Sequence, residues 1–563
     1  MKADRVIRGR RTIGPFPQGL TKTIVAASLV CIVHASKAQS FEWVKQYGGG
    51  NEIARIVTDA DGNIYWSGTG VHTGLIRKVS PQGNLIWSKT LSLGTNSFGG
   101  ECLLGPDGAL YFAGNFNATC DFDPPNNVLR TAVGEHDAFL LKCDTAGNFQ
   151  WVKTFGGLGD DSGHNLCMDA SGHICVGGYF SGTADLDPGP GNTGSVSAGE
   201  TDVFISKFDT NGDLMWTRTF GGDDTDGCFD LAVDDNGDVL GVGINHHEAD
   251  LDPGVGVHLV PGNSKFLVKL DAAGGFVDAF RVAPYNAYGY ISVRTIGDGF
   301  LYLTGCFSDS ADFDPGPGTI ELNTTSQYDQ DAFICKLDVD LSLVWVKQLG
   351  VSALDEYGTD ISIAQDGSVF VSGGFSGFGS TDLDPGPGTY LVDQSGGNSD
   401  MYMVKLDPQG DFVWGVGLGA SGFDLAESIQ IDLFGNVYTG GRFGDEVDFD
   451  PGPGVHSLDD FNGGFFLLKL SDELVSVEDL DEAPSRFSAW PIPCDGYFTV
   501  RVPEVPGEGV RLFAFDMQGR LVGEYPIAVT TTRVESALPN GTYLLTTSIP
   551  PVRPSFQMLV IAR

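Results

Sequence analysis

Six pairs of aspartates are the residues whose type and spacing could do chemistry. Each pair belongs to an Asp-x-Asp-Pro element, and most of these elements continue as Gly-Pro-Gly. The pairs are Asp121 and Asp123, Asp185 and Asp187, Asp250 and Asp252, Asp312 and Asp314, Asp382 and Asp384, and Asp448 and Asp450. Carboxylates and carbonyl oxygens from Pro-Gly turns are the hard ligands that calcium prefers. Asp side chains also accept hydrogen bonds from turn amides, and proline stiffens a loop without a metal. We favour the turn interpretation and keep calcium as the alternative cofactor.

One further group of residues could bind a metal. His246, His247 and Glu248 lie directly before Asp250, and one repeat alone has this group. Adjacent histidines point to opposite sides of an extended strand, so we predict an exposed loop here. The chain has no H-E-x-x-H, no G-x-S-x-G and no phosphate-binding P-loop motif, and its paired carboxylates are too numerous to single out an acid and a nucleophile. We therefore name no catalytic residue.

A tandem repeat positions these elements. Trp recurs at 43, 87, 151, 216, 345 and 414, and Phe276 takes the remaining place, which gives seven units spaced 44 to 69 residues apart. Each unit consists of short segments rich in β-branched and aromatic residues, separated by Asn-Gly, Asp-Gly or Ala-Gly. This pattern is typical of β-hairpins and predicts four antiparallel strands per unit.

Repeated four-stranded sheets with a period of roughly 60 residues favour a β-propeller, in which each blade packs on its neighbours around a channel. We predict an all-β fold with a seven-bladed β-propeller over residues 41–473. The strand at Phe41 to Tyr47 should complete the seventh blade and remove the open sheet edges. A solenoid is the alternative, but it would need polar caps at both ends, which the sequence lacks. The Asp-x-Asp-Pro loops should emerge on the rim where the chain passes from blade to blade.

Charge and the N-terminal segment indicate where the protein goes. The formal charge of −40 repels nucleic-acid phosphates, so nucleic-acid binding is excluded. Basic residues precede an apolar run from Ile24 to Ala35, and Ser36-Lys37-Ala38 supplies small residues for cleavage, so residues 1–38 are predicted to be a secretory signal peptide. Its removal takes away seven bases and one acid and leaves a charge near −46. No later apolar stretch approaches the length of a transmembrane segment.

The repeat ends before the C-terminus. Residues 474–486 form an acidic linker, and residues 487–563 contain alternating segments that predict a small, immunoglobulin-like β-sandwich. Trp490-Pro-Ile-Pro493, the segment from Val510 to Val522, and Leu538-Pro-Asn-Gly-Thr-Tyr-Leu544 follow one another in this region. These three ordered motifs resemble the C-terminal sorting domain of type IX secretion, although Ile492 stands where that pattern has Asn.

The repeats have a resemblance of their own. Phe204-Ile-Ser-Lys-Phe-Asp209 with Asn211-Gly212 and Trp216 is similar to the secreted bacterial β-propeller repeat family, called SBBP. The sorting-domain resemblance implies export of a folded cargo across the outer membrane by the type IX machinery, followed by release or surface anchoring. Neither resemblance implies a known activity.

A lysine recurs in the same strand of every unit, at Lys78, Lys142, Lys207, Lys269, Lys336, Lys405 and Lys469. Seven symmetric lysines cannot all be catalytic, so we predict that each packs its stem on a neighbouring blade and pairs with an acidic turn residue. The recurrent Trp side chains are predicted to pack in the core.

Cys167 and Cys175 flank one predicted hairpin and are the candidate disulfide pair in an exported chain.

The sequence therefore predicts a secreted or cell-surface, non-enzymatic propeller that binds a glycan or protein ligand or mediates adhesion. An extracellular polysaccharide hydrolase or lyase with its site in the channel is the main alternative. A self-associating structural surface protein is the second. An enzyme should place unusual polar residues on one or two blades at the channel mouth, and apart from His246 the sequence shows little of this.

Overall fold

A computed structural model describes residues 39–47, 52–70, 72–94, 97, 99–284, 289–326, 329–350, 354–377 and 379–471, together with seven short strands after residue 487. These residues form strands, turns and bends without an α-helix, and so they include no apolar helix of membrane-spanning length. The predicted signal peptide, residues 1–38, and the predicted linker, residues 474–486, lie outside the described residues.

Seven four-stranded antiparallel sheets form the blades in the described part of the chain. The first blade contains β2 (Glu52–Thr58), β3 (Ile64–Gly70), β4 (Thr73–Val79) and β5 (Leu85–Ser92). The second contains β6 (Gly99–Leu104), β7 (Ala109–Phe116), β10 (Asp137–Asp144) and β11 (Phe149–Gly157). The third contains β12 (Ser162–Met168), β13 (Ile174–Phe180), β16 (Asp202–Phe208) and β17 (Leu214–Gly222). The fourth contains β18 (Asp226–Val233), β19 (Val239–Asn245), β22 (Ser264–Leu270) and β23 (Phe276–Pro284).

The remaining blades follow the same plan. The fifth contains β24 (Ile291–Arg294), β25 (Phe300–Ser308), β28 (Gln330–Asp338) and β29 (Leu343–Leu349). The sixth contains β30 (Asp355–Ile363), β31 (Val369–Ser376), β34 (Asp400–Leu406) and β35 (Phe412–Leu418). The seventh contains β36 (Leu425–Ile431), β37 (Asn436–Asp448), β38 (Ser457–Ser471) and, as its outer strand, β1 (Ser40–Gln46).

The ring closes through β1, as the sequence predicts. This strand pairs antiparallel with β38 and brings Val44 opposite Leu468. The first strand of each blade contacts the first strand of the next, and β36 of the seventh blade contacts β2 of the first. The predicted all-β, seven-bladed propeller arrangement is therefore confirmed.

Short hairpins replace the loops that the sequence predicts for the Asp-x-Asp-Pro elements. They are β8–β9 (Thr119–Asp121, Leu129–Thr131), β14–β15 (Thr183–Asp185, Ser195–Val196), β20–β21 (Ala249–Asp250, Leu259–Val260), β26–β27 (Ser310–Asp312, Glu321–Asn323) and β32–β33 (Ser380–Asp382, Leu391–Asp393). In the seventh blade the ends of β37 and β38 pair in the same way. Two of these hairpins extend the preceding blade, with Asp185 opposite Gly156 and Asp250 opposite Gly221. The Asp-x-Asp-Pro elements thus lie on the rim of the blade-to-blade connections.

Apolar side chains fill the spaces between neighbouring blades. Tyr302 of the fifth blade and Tyr402 of the sixth, for example, are fully buried in one cluster. Four of the recurrent lysines pair with an acidic turn residue, as predicted: Lys78 with Asp59, Lys142 with Asp107, Lys207 with Asp169 and Lys269 with Asp234. Lys336 instead lies over the rings of Phe300 and Tyr302 of its own blade. These five lysines therefore have structural contacts.

The cysteines differ from the prediction in one respect. Cys167 and Cys175 face each other directly across β12 and β13. Both are buried free thiols, as are the other six cysteines of the described residues. The predicted disulfide is not formed, and burial raises the pKa of the Cys167 thiol well above its usual value.

Beyond residue 487 the described strands form two antiparallel sheets. One contains β39 (Ser488–Trp490), β40 (Tyr497–Arg501) and β43 (Thr531–Glu535). The other contains β41 (Val510–Phe515), β42 (Leu521–Ile527), β44 (Gly541–Thr547) and β45 (Gln557–Ile561). The arrangement of these sheets as an immunoglobulin-like sandwich stays a prediction.

Candidate functional site

The Asp-x-Asp-Pro carboxylates are used to fold their own loops. In the third blade, Asp185 Oδ1 accepts hydrogen bonds from the amides of Asp187 at 3.2 Å and Thr193 at 3.0 Å. Asp187 Oδ1 then accepts from the amide of Gly189 at 2.7 Å. The first aspartate of all six pairs accepts from the amide of the second. These contacts are the ones that the turn interpretation requires.

A glycine completes each of these turns in five of the six loops. A Cβ at Gly191 would lie 2.0 Å from Asp187 Oδ2, so no other residue fits without moving the carboxylate. The same separation recurs at Gly256, Gly318, Gly388 and Gly454. Among the described residues no group of three or more His, Cys, Asp or Glu could hold a metal ion. Calcium binding by these loops stays a prediction, and the turn accounts for their recurrence without it.

The His246 region forms an exposed loop, as predicted. His247 Nδ1 lies 3.0 Å from Asp223 Oδ1 and 3.4 Å from Asp224 Oδ2, and the histidine side chain is 61% exposed. These contacts tie the loop to the preceding blade connection and do not assemble a metal centre.

A cavity of about 530 Å³ lies on the axis of the propeller, lined by the first strands of the blades. In six blades the pairing between the first and second strands shifts register at an equivalent position of the first strand. These first strands are β2, β6, β12, β18, β30 and β36. Such β-bulges re-aim side chains and are common beside functional sites. The first strands present charged residues to the cavity: Glu101, Asp230, Arg294, Asp360 and Glu427. Arg442 of β37 adds a sixth.

Arg294 is the central cation of this group. Its guanidinium donates to Asp230 Oδ2 through Nη1 and to Asp360 Oδ1 through Nη2, the second contact at 2.5 Å. Ser292 Oγ donates to Asp230 Oδ2 at 2.6 Å and to Asp360 Oδ1 at 3.3 Å. Three blades therefore share one ion-pair network, because Asp230 belongs to the fourth, Arg294 to the fifth and Asp360 to the sixth.

A second part of the network joins the first and second blades. Arg55 Nη1 lies 2.9 Å from Glu101 Oε1 and 3.8 Å from Asp230 Oδ1. Glu101 Oε2 accepts a hydrogen bond from the amide of Leu166 at 3.1 Å. Burial raises the pKa of Glu101 to about 7. The positive charge of Arg55 acts to lower this pKa, and the negative charge of Asp230 acts to raise it further. Burial therefore shifts Glu101 toward its neutral form, while the surrounding carboxylates keep the pKa of Arg55 raised in spite of its burial.

The seventh blade completes the group with a more exposed pair. Arg442 Nε lies 2.6 Å from Glu427 Oε1, and the Arg442 side chain is 40% exposed. Glu427 Oε2 accepts from the amide of Ile53 at 3.0 Å, which ties the seventh blade to the first. Tyr290, His164 and Phe229 add aromatic rings to the cavity wall. Burial lowers the pKa of His164 to about 4, so this ring is neutral at physiological pH.

This site was not predicted from the sequence. Unusual polar residues were expected at the channel mouth on one or two blades, whereas Arg55, Asp230 and Asp360 lie within first strands, directly after the residue at the register shift. One signal was available: these charged residues interrupt short apolar strands at equivalent positions, and their types differ from unit to unit. In the described structure the residues at the axis therefore differ from blade to blade, whereas the sequence had indicated little departure from sevenfold symmetry.

Comparison with known proteins gives one sequence relative. No protein-family model matches the chain. A segment of 174 residues is 34% identical to the regulatory protein FlaEY of Caulobacter vibrioides, and it covers 31% of this chain and 18% of that relative's length.

The chain is also similar to several solved structures. A fungal alcohol oxidase of the AA5 family, solved in complex with copper, is 10% identical over 93% of this chain and 100% of that one, with a TM-score of 0.39. Virginiamycin B lyase from Staphylococcus aureus is 7% identical over 76% and 99%, with a TM-score of 0.37. PorZ, a surface component of the type IX secretion system of Porphyromonas gingivalis, is 9% identical over 92% and 100%, with a TM-score of 0.16. The fold assignment rests on the sheet topology given above.

Proposed function

We propose that this protein is a secreted or cell-surface, non-enzymatic β-propeller that binds a polar ligand, such as a glycan, in its axial cavity. The observation that carries the proposal is the cavity itself, which is about 530 Å³ in volume and combines aromatic rings with an asymmetric set of charged groups. Ligand sites commonly pair an apolar wall with a few polar groups that fix orientation. Phe229 is 38% exposed and offers a ring on which a sugar can stack. Tyr290, stacked on Tyr357, adds a second ring to the wall, and Arg442 is the exposed charged group of the cavity.

Export completes the proposal. The signal peptide and the C-terminal motifs support passage through the periplasm and, by the type IX machinery, across the outer membrane. The ligand would then be extracellular, and the strongly acidic surface would keep the protein away from anionic membrane surfaces and nucleic acids.

A glycan array probed with the mature protein tests the binding role. Ala54 lies at the register shift of β2 and lines the cavity, so Ala54→Trp should fill the cavity and abolish binding. Ala146→Trp is the matched control, because Ala146 is exposed in the turn between β10 and β11. Glycan binding that survives Ala54→Trp, or that is equally lost in Ala146→Trp, contradicts the axial site.

An enzymatic function is the second candidate, and Glu101 is the observation that favours it. A buried carboxyl with a pKa of about 7 can act as a general acid or base at neutral pH. A hydrolase and lyase screen over extracellular polysaccharides tests this alternative. Turnover that disappears in Glu101→Gln would establish the enzyme, whereas binding without turnover supports the non-enzymatic proposal.

A further inference from the structure

A buried lysine faces a buried cysteine across the junction between the fourth and fifth blades. Lys265 lies on β22 and is 1% exposed, and Cys306 lies on β25 and is 0% exposed. Lys265 Nζ is 3.2 Å from Cys306 Sγ and donates a hydrogen bond to the main-chain oxygen of Cys306 at 2.6 Å. The amine of one blade therefore touches the thiol of the next.

Lys265 does not belong to the recurrent lysines. The recurrent lysine of its strand is Lys269, which pairs with Asp234. At the position of Lys265, the registers of four other blades place buried apolar residues, namely Ala138, Val203, Ala332 and Met401. Burying a lysine amine is costly and is rarely seen without a specific polar contact. Packing alone therefore does not account for the amine of Lys265.

The contacts of Cys306 favour reaction at its sulfur. In the thiol form, Sγ donates to Gln330 Oε1 at 3.3 Å and accepts a hydrogen bond from the Lys265 amine. A cationic donor beside the sulfur stabilises the thiolate, which is the form of cysteine that peroxides oxidise.

The axial cavity gives a small oxidant a route to this sulfur. Tyr290 and Ile291 line the cavity, and Tyr290 packs against the buried cluster that contains Cys306. Ile291 lies opposite Gly305, the residue before Cys306. Cys306 is thus directly behind the cavity wall, so we expect hydrogen peroxide, which is close to water in size, to reach it slowly through local opening of the wall.

We propose that Lys265 and Cys306 form a covalent sulfur–nitrogen cross-link between the fourth and fifth blades when a peroxide oxidises the protein. First, the Cys306 sulfur attacks one peroxide oxygen, the O–O bond breaks, and a sulfenic acid and one water form. The lone pair of the Lys265 amine then attacks this sulfur, the S–O bond breaks, and the hydroxide leaves as water with a proton from the nitrogen. The sulfur loses two electrons and the peroxide gains them, so one peroxide yields one cross-link and two waters.

The native geometry suits the second step. The Nζ to Sγ distance of 3.2 Å lies within the range of about 3–3.5 Å that is typical of reacting atoms held in position. Cysteine sulfenic acids condense with a nearby nitrogen in this way. Lys265 and Cys306 are 41 residues apart in sequence, so the unfolded chain does not hold them together.

The cross-link would strengthen the ring at its shortest first strand in the described structure. β24 of the fifth blade has four residues, whereas the first strands of the other blades have six to nine. Its neighbour in the sheet is β25, which carries Cys306, so a bond from β22 to β25 ties this blade to the fourth. The proposal concerns the cohesion of the ring and does not depend on what the axial cavity binds.

Peptide mapping after peroxide treatment is the direct test. The folded mature protein is incubated with hydrogen peroxide, freed of peroxide, unfolded, alkylated and digested with trypsin, beside a sample kept reduced. We expect a linked pair of peptides that contain Lys265 and Cys306, about 2 Da lighter than their sum, which dithiothreitol separates. A disulfide between Cys167 and Cys175 causes the same loss of mass in the intact chain, so the peptides make the assignment.

Substitutions provide the controls. Lys265→Met places at this position the side chain that the sixth blade has there, so the protein should fold, lose the cross-link and leave a Cys306 sulfenic acid that dimedone labels. Cys335→Ala removes another buried thiol of the fifth blade and should cross-link like the wild type. Oxidation should raise the melting temperature of the wild type more than that of Lys265→Met.

Three results would overturn the proposal. One is a peroxide-treated wild type in which Cys306 stays fully alkylatable after unfolding and trypsin still cleaves at Lys265. Another is dimedone labelling of Cys306 that is equal in the wild type and in Lys265→Met. The third is an equal yield of the cross-link when peroxide is added to the protein unfolded in urea. The wild-type peptide map decides the question even if a substituted protein does not fold.

Discussion

The indole nitrogen of Trp43 donates a hydrogen bond to the main-chain oxygen of Pro81 at 3.0 Å. Trp43 lies on the outer strand of the seventh blade, and Pro81 lies in the turn between β4 and β5 of the first blade. Trp87 makes the same contact with Thr145, and Trp345 makes it with Pro408. The strand that closes the ring therefore reproduces the contact that joins consecutive blades elsewhere.

Removing this strand should open the ring. Deletion of residues 41–47 leaves β38 as an unpaired sheet edge and removes the Trp43–Pro81 contact between the seventh and first blades, so we expect a loss of more than about 3 kcal/mol of unfolding free energy. Urea denaturation followed by circular dichroism measures the loss. Trp43→Phe is the milder comparison, because it keeps an aromatic ring and loses one hydrogen bond worth about 1 kcal/mol. An unchanged urea midpoint in the deleted chain contradicts closure by β1.

Arg294 should contribute strongly to stability, because it neutralises two buried carboxylates. Arg294→Met removes the cation that bonds both Asp230 and Asp360 and leaves Arg55, 3.8 Å from Asp230, as the remaining cation of the network. Breaking a buried ion pair in this way costs about 3–5 kcal/mol. Arg442→Met is the matched control, since its pair with Glu427 is more exposed and should cost about 1 kcal/mol or less. The urea midpoints of the two variants test this order, and equal losses would argue against a buried network.

The Lys207–Asp169 pair should give stability that depends on acid pH. Burial acts to raise the pKa of Asp169, but hydrogen bonds from Lys207 and His173 lower it from the ordinary 3.8 to about 2. The folded state therefore binds fewer protons than the unfolded state between these values, so the contribution is complete above pH 4 and is lost as the pH falls through 2.

Melting temperatures measured against pH test this window. Lys207→Met should melt below the wild type at neutral pH, and the difference should shrink as the pH falls toward 2. Lys153→Met is the control, because the partner of Lys153, Asp213, is 68% exposed and the pair should contribute little. A difference between Lys207→Met and the wild type that is constant over the whole pH range would assign the effect to packing.

The Asp-x-Asp-Pro loops can be tested for calcium by substituting one pair of aspartates. If a loop binds calcium, Asp185→Asn with Asp187→Asn should remove part of the calcium-dependent rise in melting temperature, which amounts to about 2.7 kcal/mol per site at a hundredfold excess over Kd. If the loop is a turn alone, the double substitution lowers the melting temperature equally with and without calcium. Gly191→Ala should also destabilise the loop in both conditions, because its Cβ would meet Asp187 Oδ2.

The predicted sorting domain is tested by export. A chain without residues 487–563 should fold its propeller and remain in the periplasm of a host with type IX secretion, because the predicted signal peptide would still direct it across the inner membrane. Fractionation and detection in periplasm and medium measure the outcome. Secretion of the shortened chain at the wild-type level would refute the sorting role, and a full-length chain in the same host is the control.

The blades follow from the sequence because their pairing is local. Each hairpin joins segments a few residues apart through Asn-Gly or Asp-Gly turns, and the alternation of apolar residues sets the register. The Trp series shows where the outer strands lie, and its count shows that Phe41 to Tyr47 is left over for the seventh blade. Fold, blade number and ring closure were predictable for this reason.

The axial network depends on contacts between blades. Asp230, Arg294 and Asp360 are more than sixty residues apart in sequence, so no local spacing indicates that they meet. Their meeting requires the ring to close and the first strands to shift register beside them. The same holds for Asp202 and Asp226, which look like ordinary turn aspartates until two blades bring them to one glycine. The sequence by itself determined the blades, because hairpins are local. The tertiary structure alone decided which charges face one another, because those contacts form only when distant strands converge on the axis or at a blade junction.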